Sequence, residues 1–139
     1  MAFIRRLTRL PLCGPTVTDA KVVDASALAA LLFAEPEAES IAQRLEGARL
    51  VAPSLVDFEL ANVCLTKMRR QLKNRDTLRA AFHLLHRLRV ESVAVDHPAI
   101  LNLAEATGLT AYDASYLWLA RALDAELVTL DRKLAAASV

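Results

Sequence analysis

Glycine, aromatic residues and long apolar runs are all scarce in this chain of 139 residues. Its three glycines are not clustered, which excludes a glycine-rich loop that cradles phosphate groups. The longest candidate run, residues 25–34, is about half of the roughly 20 apolar residues that a membrane-spanning helix needs. We therefore expect a protein with no membrane segment.

Cysteines are also few, and the net charge is small. Cys13 and Cys64 have no zinc-like spacing and form no disulfide framework, so we expect a reducing cytoplasmic setting with Cys64 as a small core residue. The net charge of +1 creates no strong field for nucleic acid. The 17 cations are nevertheless 13 Arg and 4 Lys, and Arg suits phosphate contacts. A codon bias explains the same excess.

The first 19 residues differ from the rest of the chain. They are basic and apolar, with no acid before Asp19, and arginines and prolines interrupt any apolar run of the kind that a signal peptide has. We predict a flexible N-terminal extension over residues 1–19 and a single domain over residues 20–139, which is long enough for a hydrophobic core.

Short β-rich runs alternate with helical patterns along the remaining sequence. Strands are predicted at residues 21–25, 49–52, 90–95 and 126–130. Helices are predicted at residues 26–33, 37–46, 54–72, 77–88, 97–107 after an Asp96 cap, 110 or 112 to 123, and 131–137. Apolar strands separated by helices indicate an α/β fold, a three-layer α/β/α sandwich with a central parallel sheet. Ligands of such folds bind beyond the carboxyl ends of the strands.

Four acids stand out because they lie in apolar surroundings. Asp24 ends the first strand, Glu59 lies in the long helix, Asp113 lies in the first turn of an apolar helix, and Asp131 follows the last strand. Isolated buried carboxylates are costly, and clustered ones repel unless a cation compensates them. Sites rich in oxygen ligands suit Mg²⁺ or Mn²⁺, which promote phosphodiester hydrolysis.

Each acid also has a structural interpretation. Asp24 and Asp131 fit helix N-caps, and Asp113 fits the positive end of a helix dipole. Glu59, between Phe58 and Leu60, needs an exposed face or a partner. These alternatives stay open for each residue taken alone.

Neighbouring polar residues divide into supporting candidates and exclusions. Asn62, three residues after Glu59, shares its helix face and is a supporting candidate. Asp57 lies about 200° round the helix from Glu59 and should point away, and Asp96 has a sufficient role as a cap. His83 and His86 have a spacing that metals use but no third ligand nearby, so we do not assign them to a site.

A group of cations follows in the same long helix. Its members are candidates for weak RNA contacts as a phosphate-binding rim: Lys67, Arg69, Arg70 and Lys73. Cations at a helix C-terminus also complement its dipole on a solvated face, which explains the same pattern without any ligand.

The acids and their surroundings resemble the PIN-domain ribonucleases, most closely the VapC-type toxins of VapBC toxin–antitoxin systems. The matching segments run from about residue 21 to 135 in order: "VVDASALAALL", "VAPSLVDFELANV", "GLTAYDASYLWLA" and "LVTLDRKLA". The last two together are the most specific part of the match.

The resemblance implies that the four acids bind Mg²⁺ or Mn²⁺ and are catalytic. It places Ser26 at the small hydroxyl position after the first acid and Thr129 at the hydroxyl position before the last one. The implied activity is metal-dependent endonucleolytic cleavage of RNA, often tRNA or ribosomal RNA. The implied partners are a second copy of the chain in a homodimer and a small antitoxin whose C-terminal segment blocks the acidic groove, often with an Arg among the carboxylates.

Other functions remain as alternatives. A non-catalytic PIN-like module that binds RNA or protein is the main one, and four intact acids argue against it. A phosphatase with an Asp nucleophile requires D-x-D after the first strand, but Ser26 occupies the second acid's place. A receiver domain would use Asp96, yet the expected paired acid and lysine are missing from the pattern.

Overall fold

In a computed structural model, residues 19–139 are described, and they form a sheet of four parallel strands. The strands are β1 (Ala20–Val23), β2 (Arg49–Ala52), β3 (Glu91–Ser92) and β4 (Glu126–Val128), in the spatial order β3-β2-β1-β4. β1 is therefore central, with Val22 opposite both Val51 and Leu127. The predicted parallel sheet is confirmed. The predicted extension, apart from Asp19, lies outside the described residues.

Seven α-helices flank this sheet in the described part of the chain. They are α1 (Ala25–Leu32), α2 (Ala38–Leu45), α3 (Leu55–Arg70), α4 (Arg75–His83), α5 (His97–Thr107), α6 (Ala111–Leu123) and α7 (Arg132–Ala137). α1 packs on α2 and α3, whereas α6 packs on α5, α7 and β1. This is the predicted three-layer α/β/α fold. None of the helices in residues 19–139 combines the length and the apolar composition that crossing a membrane requires.

The core lies where β1, α1 and α6 meet. Seven of the eight residues of α1 are buried, because a helix that is apolar on every side must be covered on every side. Val22 and Val23 of β1 are fully buried, and β-branched residues suit such a strand. Cys64 is buried on the inner side of α3, as predicted.

The helical region between residues 70 and 89 differs from the sequence prediction. The predicted helix 77–88 is α4 followed by a 3₁₀ turn, Leu84–Leu88, with Arg89 in the left-handed region at φ 51°. Apolar spacing over five residues does not distinguish 3.6 from 3.0 residues per turn. The break predicted at residues 74–76 between two helices is present but lies a few residues earlier, where α3 ends at Arg70 and a 3₁₀ turn, Leu72–Asn74, leads into α4.

The predicted strands 90–95 and 126–130 are both shorter in the structure. β3 is an edge strand with a single neighbour, and beyond Ser92 only the Val93 amide continues the pairing, donating to the Ala52 carbonyl at 3.0 Å. β4 stops at Val128 because the next residues turn towards β1, where the Leu130 amide donates to Ser26 Oγ at 2.8 Å.

Candidate active site

A cavity of about 300 Å³ opens at the carboxyl edge of the sheet. The chain leaves β1 towards β2 and β3 and returns to β4 on the other side of β1, so this edge contains the point where strand order reverses. The cavity brings together six of the residues predicted from the sequence and adds three others: Asp24, Ser26, Glu59, Asn62, Asp113 and Asp131, with Ala25, Val63 and Tyr116.

Asp24 is the most enclosed acid of this cavity, with 5% of its surface exposed. Its Oδ1 accepts hydrogen bonds from Ser26 Oγ at 2.7 Å and from the Ala27 amide at 3.0 Å. Its Oδ2 accepts one from Thr129 Oγ1 at 2.5 Å. Within the described part of the chain, Oδ2 accepts only this one bond and has capacity for a further partner. The hydrogen bonds therefore fix the orientation of Asp24 without saturating it.

Ser26 and Thr129 join the end of β1 to the end of β4. Ser26 Oγ accepts from the Leu130 amide at 2.8 Å, and Thr129 Oγ1 accepts from the Asp131 amide at 3.0 Å. Each hydroxyl thus donates to Asp24 and accepts from a backbone amide that follows β4. Ser26 and Thr129, two of the three residues predicted as supporting groups, therefore fix the positions of Asp24 and Asp131 relative to each other.

The capping interpretation is also correct for two of the acids. Asp24 caps α1 through the Ala27 amide, and Asp131 caps α7, accepting from the Leu134 amide at 2.9 Å. A single carboxylate has two oxygens, so one serves the helix while the other remains at the cavity. Capping and lining the cavity are therefore compatible.

Glu59 reaches the cavity from α3 and is held by a residue that the sequence analysis did not single out. Tyr116 of α6 donates from its hydroxyl to Glu59 Oε1 at 2.6 Å, although only 1% of the tyrosine is exposed. A buried tyrosine hydroxyl requires a partner, and Tyr116 lies three residues after Asp113 on the same helix. That spacing is the signal from which its position could have been found.

Asp113 lies in the first turn of α6. The Thr110 hydroxyl caps that helix by accepting from the Asp113 amide at 3.1 Å, so the Asp113 carboxylate is not used as the cap. Lys133, whose Nζ donates to the Gly108 carbonyl at 2.8 Å, is close enough for its charge to lower the pKa of Asp113. The negative potential of the cavity is thus partly compensated on this side.

The negative charges of the carboxylates repel one another. Burial raises the pKa of Asp24, and the charge of Asp131 raises it further, against the hydrogen bonds from Ser26, Thr129 and the Ala27 amide, which lower it. The pKa of Asp113 is raised by burial and then by the charges of Asp131 and Asp24.

Glu59 shows the same effect. Burial raises the pKa of Glu59, the bond from Tyr116 lowers it, and the charges of Asp113 and Asp24 raise it. The four acids therefore form one electrostatic cluster with an energetic need for positive charge.

The donor set fits a divalent cation of the hard, oxygen-binding kind. All the candidate ligands are carboxylate, hydroxyl or amide oxygens, which Mg²⁺ and Mn²⁺ prefer. Among residues 19–139, no three acidic, histidine or cysteine side chains converge closely enough to enclose an ion by themselves. Mg²⁺ commonly binds through one or two carboxylates and completes its shell with water and substrate phosphate, so this arrangement is compatible with it.

The two acids excluded by the sequence lie elsewhere. Asp57 is exposed and lines a different cavity on α3, together with His83 and His86. Asp96 caps α5 and accepts from the Ala99 amide at 3.0 Å.

The cations predicted as weak RNA contacts begin about 12 Å further along α3 than Glu59, at a rise of about 1.5 Å per residue. Lys67 is engaged there, with an ion pair to Glu35 at 2.9 Å and a position over the Phe33 ring at 5.6 Å. Arg69, Arg70 and Lys73 are exposed. Their contact with RNA stays a prediction.

Comparison with known proteins places the chain in a family. Residues 21–139 match the PIN domain. The chain is 36% identical to Ribonuclease VapC3 of Pyrobaculum aerophilum, over 82% of this chain and 91% of the relative. It is a PIN-domain protein of the VapC family.

Two further comparisons agree with this VapC assignment. Ribonuclease VapC9 of Mycobacterium tuberculosis is 38% identical over 81% of this chain and 87% of its own length. The crystal structure of PAE2754 from Pyrobaculum aerophilum superimposes with a TM-score of 0.63 at 32% identity, covering 87% of this chain and 86% of that one. The resemblance noted from the sequence is confirmed at the level of family and fold.

Proposed function

We propose that this VapC-family chain is a divalent-metal-dependent endoribonuclease that acts as the toxin of a cytoplasmic toxin–antitoxin pair. The observation that carries the proposal is the convergence of four carboxylates in one cavity at the point where strand order reverses. The names of the relatives, which include the word ribonuclease, support RNA as the substrate. Transfer RNA and ribosomal RNA are the proposed targets.

Asp24, Glu59, Asp113 and Asp131 would hold Mg²⁺ or Mn²⁺. Such an ion, when bound, polarises a phosphodiester and lowers the pKa of water. Ser26 and Thr129 orient the Asp24 carboxylate so that it needs no rearrangement when substrate arrives. Tyr116 occupies Glu59 Oε1 and leaves Oε2 for a second partner.

The proposal is tested with the purified chain, labelled tRNA and rRNA, and added MgCl₂, MnCl₂ or EDTA. Asp24→Asn and Asp113→Asn should each reduce cleavage by about 100-fold or more, because a preorganised charge at the reacting group is lost. Asp57→Asn and Asp96→Asn are matched controls, since both acids lie outside the cavity and asparagine retains the cap of α5. Full activity in both cavity variants would contradict the assignment.

The same assay separates this proposal from its main alternative. A non-catalytic PIN-like module would bind RNA, with no cleavage at any concentration of either metal. Growth arrest upon induction of the wild-type chain, relieved by Asp24→Asn, is the expected result in cells. Arrest that persists in Asp24→Asn would favour the binding module.

The proposed partners follow from the same cavity. A cluster of carboxylates that repel one another is suited to receive an arginine from a small inhibitory protein. Co-expression with the product of a short adjacent reading frame should give a stable complex in which RNA cleavage is inhibited. We propose that the active assembly is a homodimer. The sedimentation of the purified chain would measure its oligomeric state.

A further inference from the structure

Two exposed aromatic rings lie immediately before two of the cavity acids. Among the six aromatic residues of the described chain, Phe58 and Tyr112 have most of their surface exposed, at 81% and 68%. Phe58 precedes Glu59 on α3, and Tyr112 precedes Asp113 on α6. A single exposed ring requires no explanation, but two rings beside one cavity point to a ligand.

The rings lie at the rim of the cavity: each is next in sequence to an acid that lines it, although neither ring is itself part of the lining. The hydrogen bond from Tyr116 to Glu59 connects α6 to α3, so these two helices face each other across the acidic site. Phe58 is in the first turn of α3 and Tyr112 in the first turn of α6. Both helices begin at the carboxyl edge of the sheet, because after each of them the chain must reach the amino edge of the sheet before the next parallel strand begins.

We propose that Phe58 and Tyr112 stack against unpaired RNA bases on the two sides of the phosphodiester that occupies the acidic cavity. The inference rests on the proposed ribonuclease function and adds the form of RNA that the site accepts. Every base has a π face, so an aromatic platform holds single-stranded RNA with little dependence on sequence. A double helix keeps its bases stacked on one another and does not offer them to these rings.

The surroundings of Phe58 are polar and charged, which disfavours a purely apolar ligand. Successive helix residues are about 100° apart, so Phe58 lies between Glu59 on the acidic side and Asp57 on the other. Asp57 lines a second cavity of about 440 Å³ that also contains His83, His86 and Arg89. The guanidinium of Arg89 is a group that binds phosphate well, so this second cavity also contains a suitable contact for nucleic acid.

Steady-state cleavage of an unstructured 20-nucleotide RNA tests the proposal. Phe58→Ala and Tyr112→Ala should each raise KM about 5- to 100-fold, the value expected for one lost base–aromatic stack, with a much smaller change in kcat. Tyr112→Phe and Phe58→Trp keep an aromatic ring and should retain the wild-type KM. Phe58→Leu keeps apolar bulk without a π face, so it should behave like Phe58→Ala.

Leu72→Ala and Leu101→Ala are matched controls for the loss of exposed apolar surface. Both leucines are exposed, at 71% and 66%, and neither is adjacent in sequence to an acid that lines the cavity. Their KM should remain at the wild-type value.

A direct binding measurement separates stacking from charge attraction. Phe58→Trp in a Trp118→Phe background has a single tryptophan, on the proposed platform. Its fluorescence should be quenched by the 20-nucleotide RNA but not by an abasic analogue with the same phosphates. Equal quenching by both would overturn the stacking proposal.

The remaining outcomes are distinct from a failure of the proposed function. An unchanged KM in both alanine variants of an active enzyme overturns stacking and leaves the ribonuclease function standing. If those variants lose only inhibition by a partner protein, the rings form a protein interface and the proposal is wrong. A wild-type chain that cleaves no RNA contradicts the function, and the fluorescence titration then decides the stacking independently.

Discussion

Thr129 donates a hydrogen bond of 2.5 Å to Asp24 Oδ2 across a separation of 105 residues in the sequence. The bond connects the residues that directly follow two adjacent parallel strands, at the edge where α/β folds place their ligands. Thr129 also accepts from the Asp131 amide, so one hydroxyl positions two acids of the candidate site. A substitution of this threonine therefore tests the stability of the fold and the chemistry of the site together.

Replacing Thr129 by valine should weaken both the fold and the site. The change keeps the side-chain volume but removes one donor to a buried carboxylate and the acceptor of a backbone amide. We expect a loss of about 1–3 kcal/mol in the free energy of unfolding, measured in urea, and a higher Mg²⁺ concentration for half-maximal RNA cleavage.

Thr129→Ser is the control for this prediction, because serine retains the hydroxyl. It should restore the metal dependence and most of the stability. A valine variant with the wild-type stability and metal dependence would show that the hydroxyl contributes to neither.

Tyr116→Phe should separate activity from stability. Phenylalanine keeps the buried ring and removes only the hydroxyl that donates to Glu59 at 2.6 Å. Glu59 is half-buried and can recover a partner from water, so we expect a change in unfolding free energy of about 1 kcal/mol. Cleavage should fall about 10- to 100-fold, as is typical when a group that orients a metal-binding residue is lost.

The metal dependence of Tyr116→Phe distinguishes positioning from a general structural effect. Half-maximal activity should shift to a higher Mg²⁺ concentration while the melting temperature changes little. Activity that equals wild type at every Mg²⁺ concentration would remove Tyr116 from the site.

Divalent cations should stabilise the folded chain even without RNA. The charges of Asp113 and Asp24 raise the pKa of Glu59, and those of Asp131 and Asp24 raise the pKa of Asp113, so a bound cation relieves repulsion that exists only in the folded state. A concentration 100 times the dissociation constant contributes about 2.7 kcal/mol. The melting temperature should therefore rise with MgCl₂ and fall again with EDTA.

The Mg²⁺ effect is checked against NaCl of equal ionic strength and against Asp24→Asn. Sodium chloride should have little effect, and the variant should show a much smaller rise than wild type. An equal rise in Asp24→Asn would place the bound cation at another part of the molecule.

Much of the site geometry was predictable because parallel strands end at a common edge. Asp24 and Asp131 each follow an apolar run, so their proximity follows from the topology alone. The partnership of Tyr116 with Glu59 was not predictable in the same way, since it depends on how α6 is rotated against α3. A tyrosine in an apolar helix is interpreted as an ordinary core residue unless the hydrogen-bond partner of its hydroxyl is considered.

The boundaries that the sequence analysis missed have a similar origin. The residues that end β4 early, Thr129 and Leu130, have a β-rich pattern but form hydrogen bonds with Asp24 and Ser26. The local pattern records a preference for extended backbone, whereas the hydrogen-bonding partner comes from a segment about 100 residues away. Tertiary contacts therefore decide where this strand ends.

Cys64 should be protected from thiol reagents in the folded chain. It is buried on α3, its Sγ lies 3.5 Å from the Leu78 carbonyl, and burial raises the pKa of its thiol. The reactive thiolate is therefore both scarce and covered. In a Cys13→Ser chain, labelling by a thiol reagent should be at least about 10-fold slower under native conditions than in urea, because it requires local opening. Equal rates under both conditions would show that the inner face of α3 opens freely to solvent.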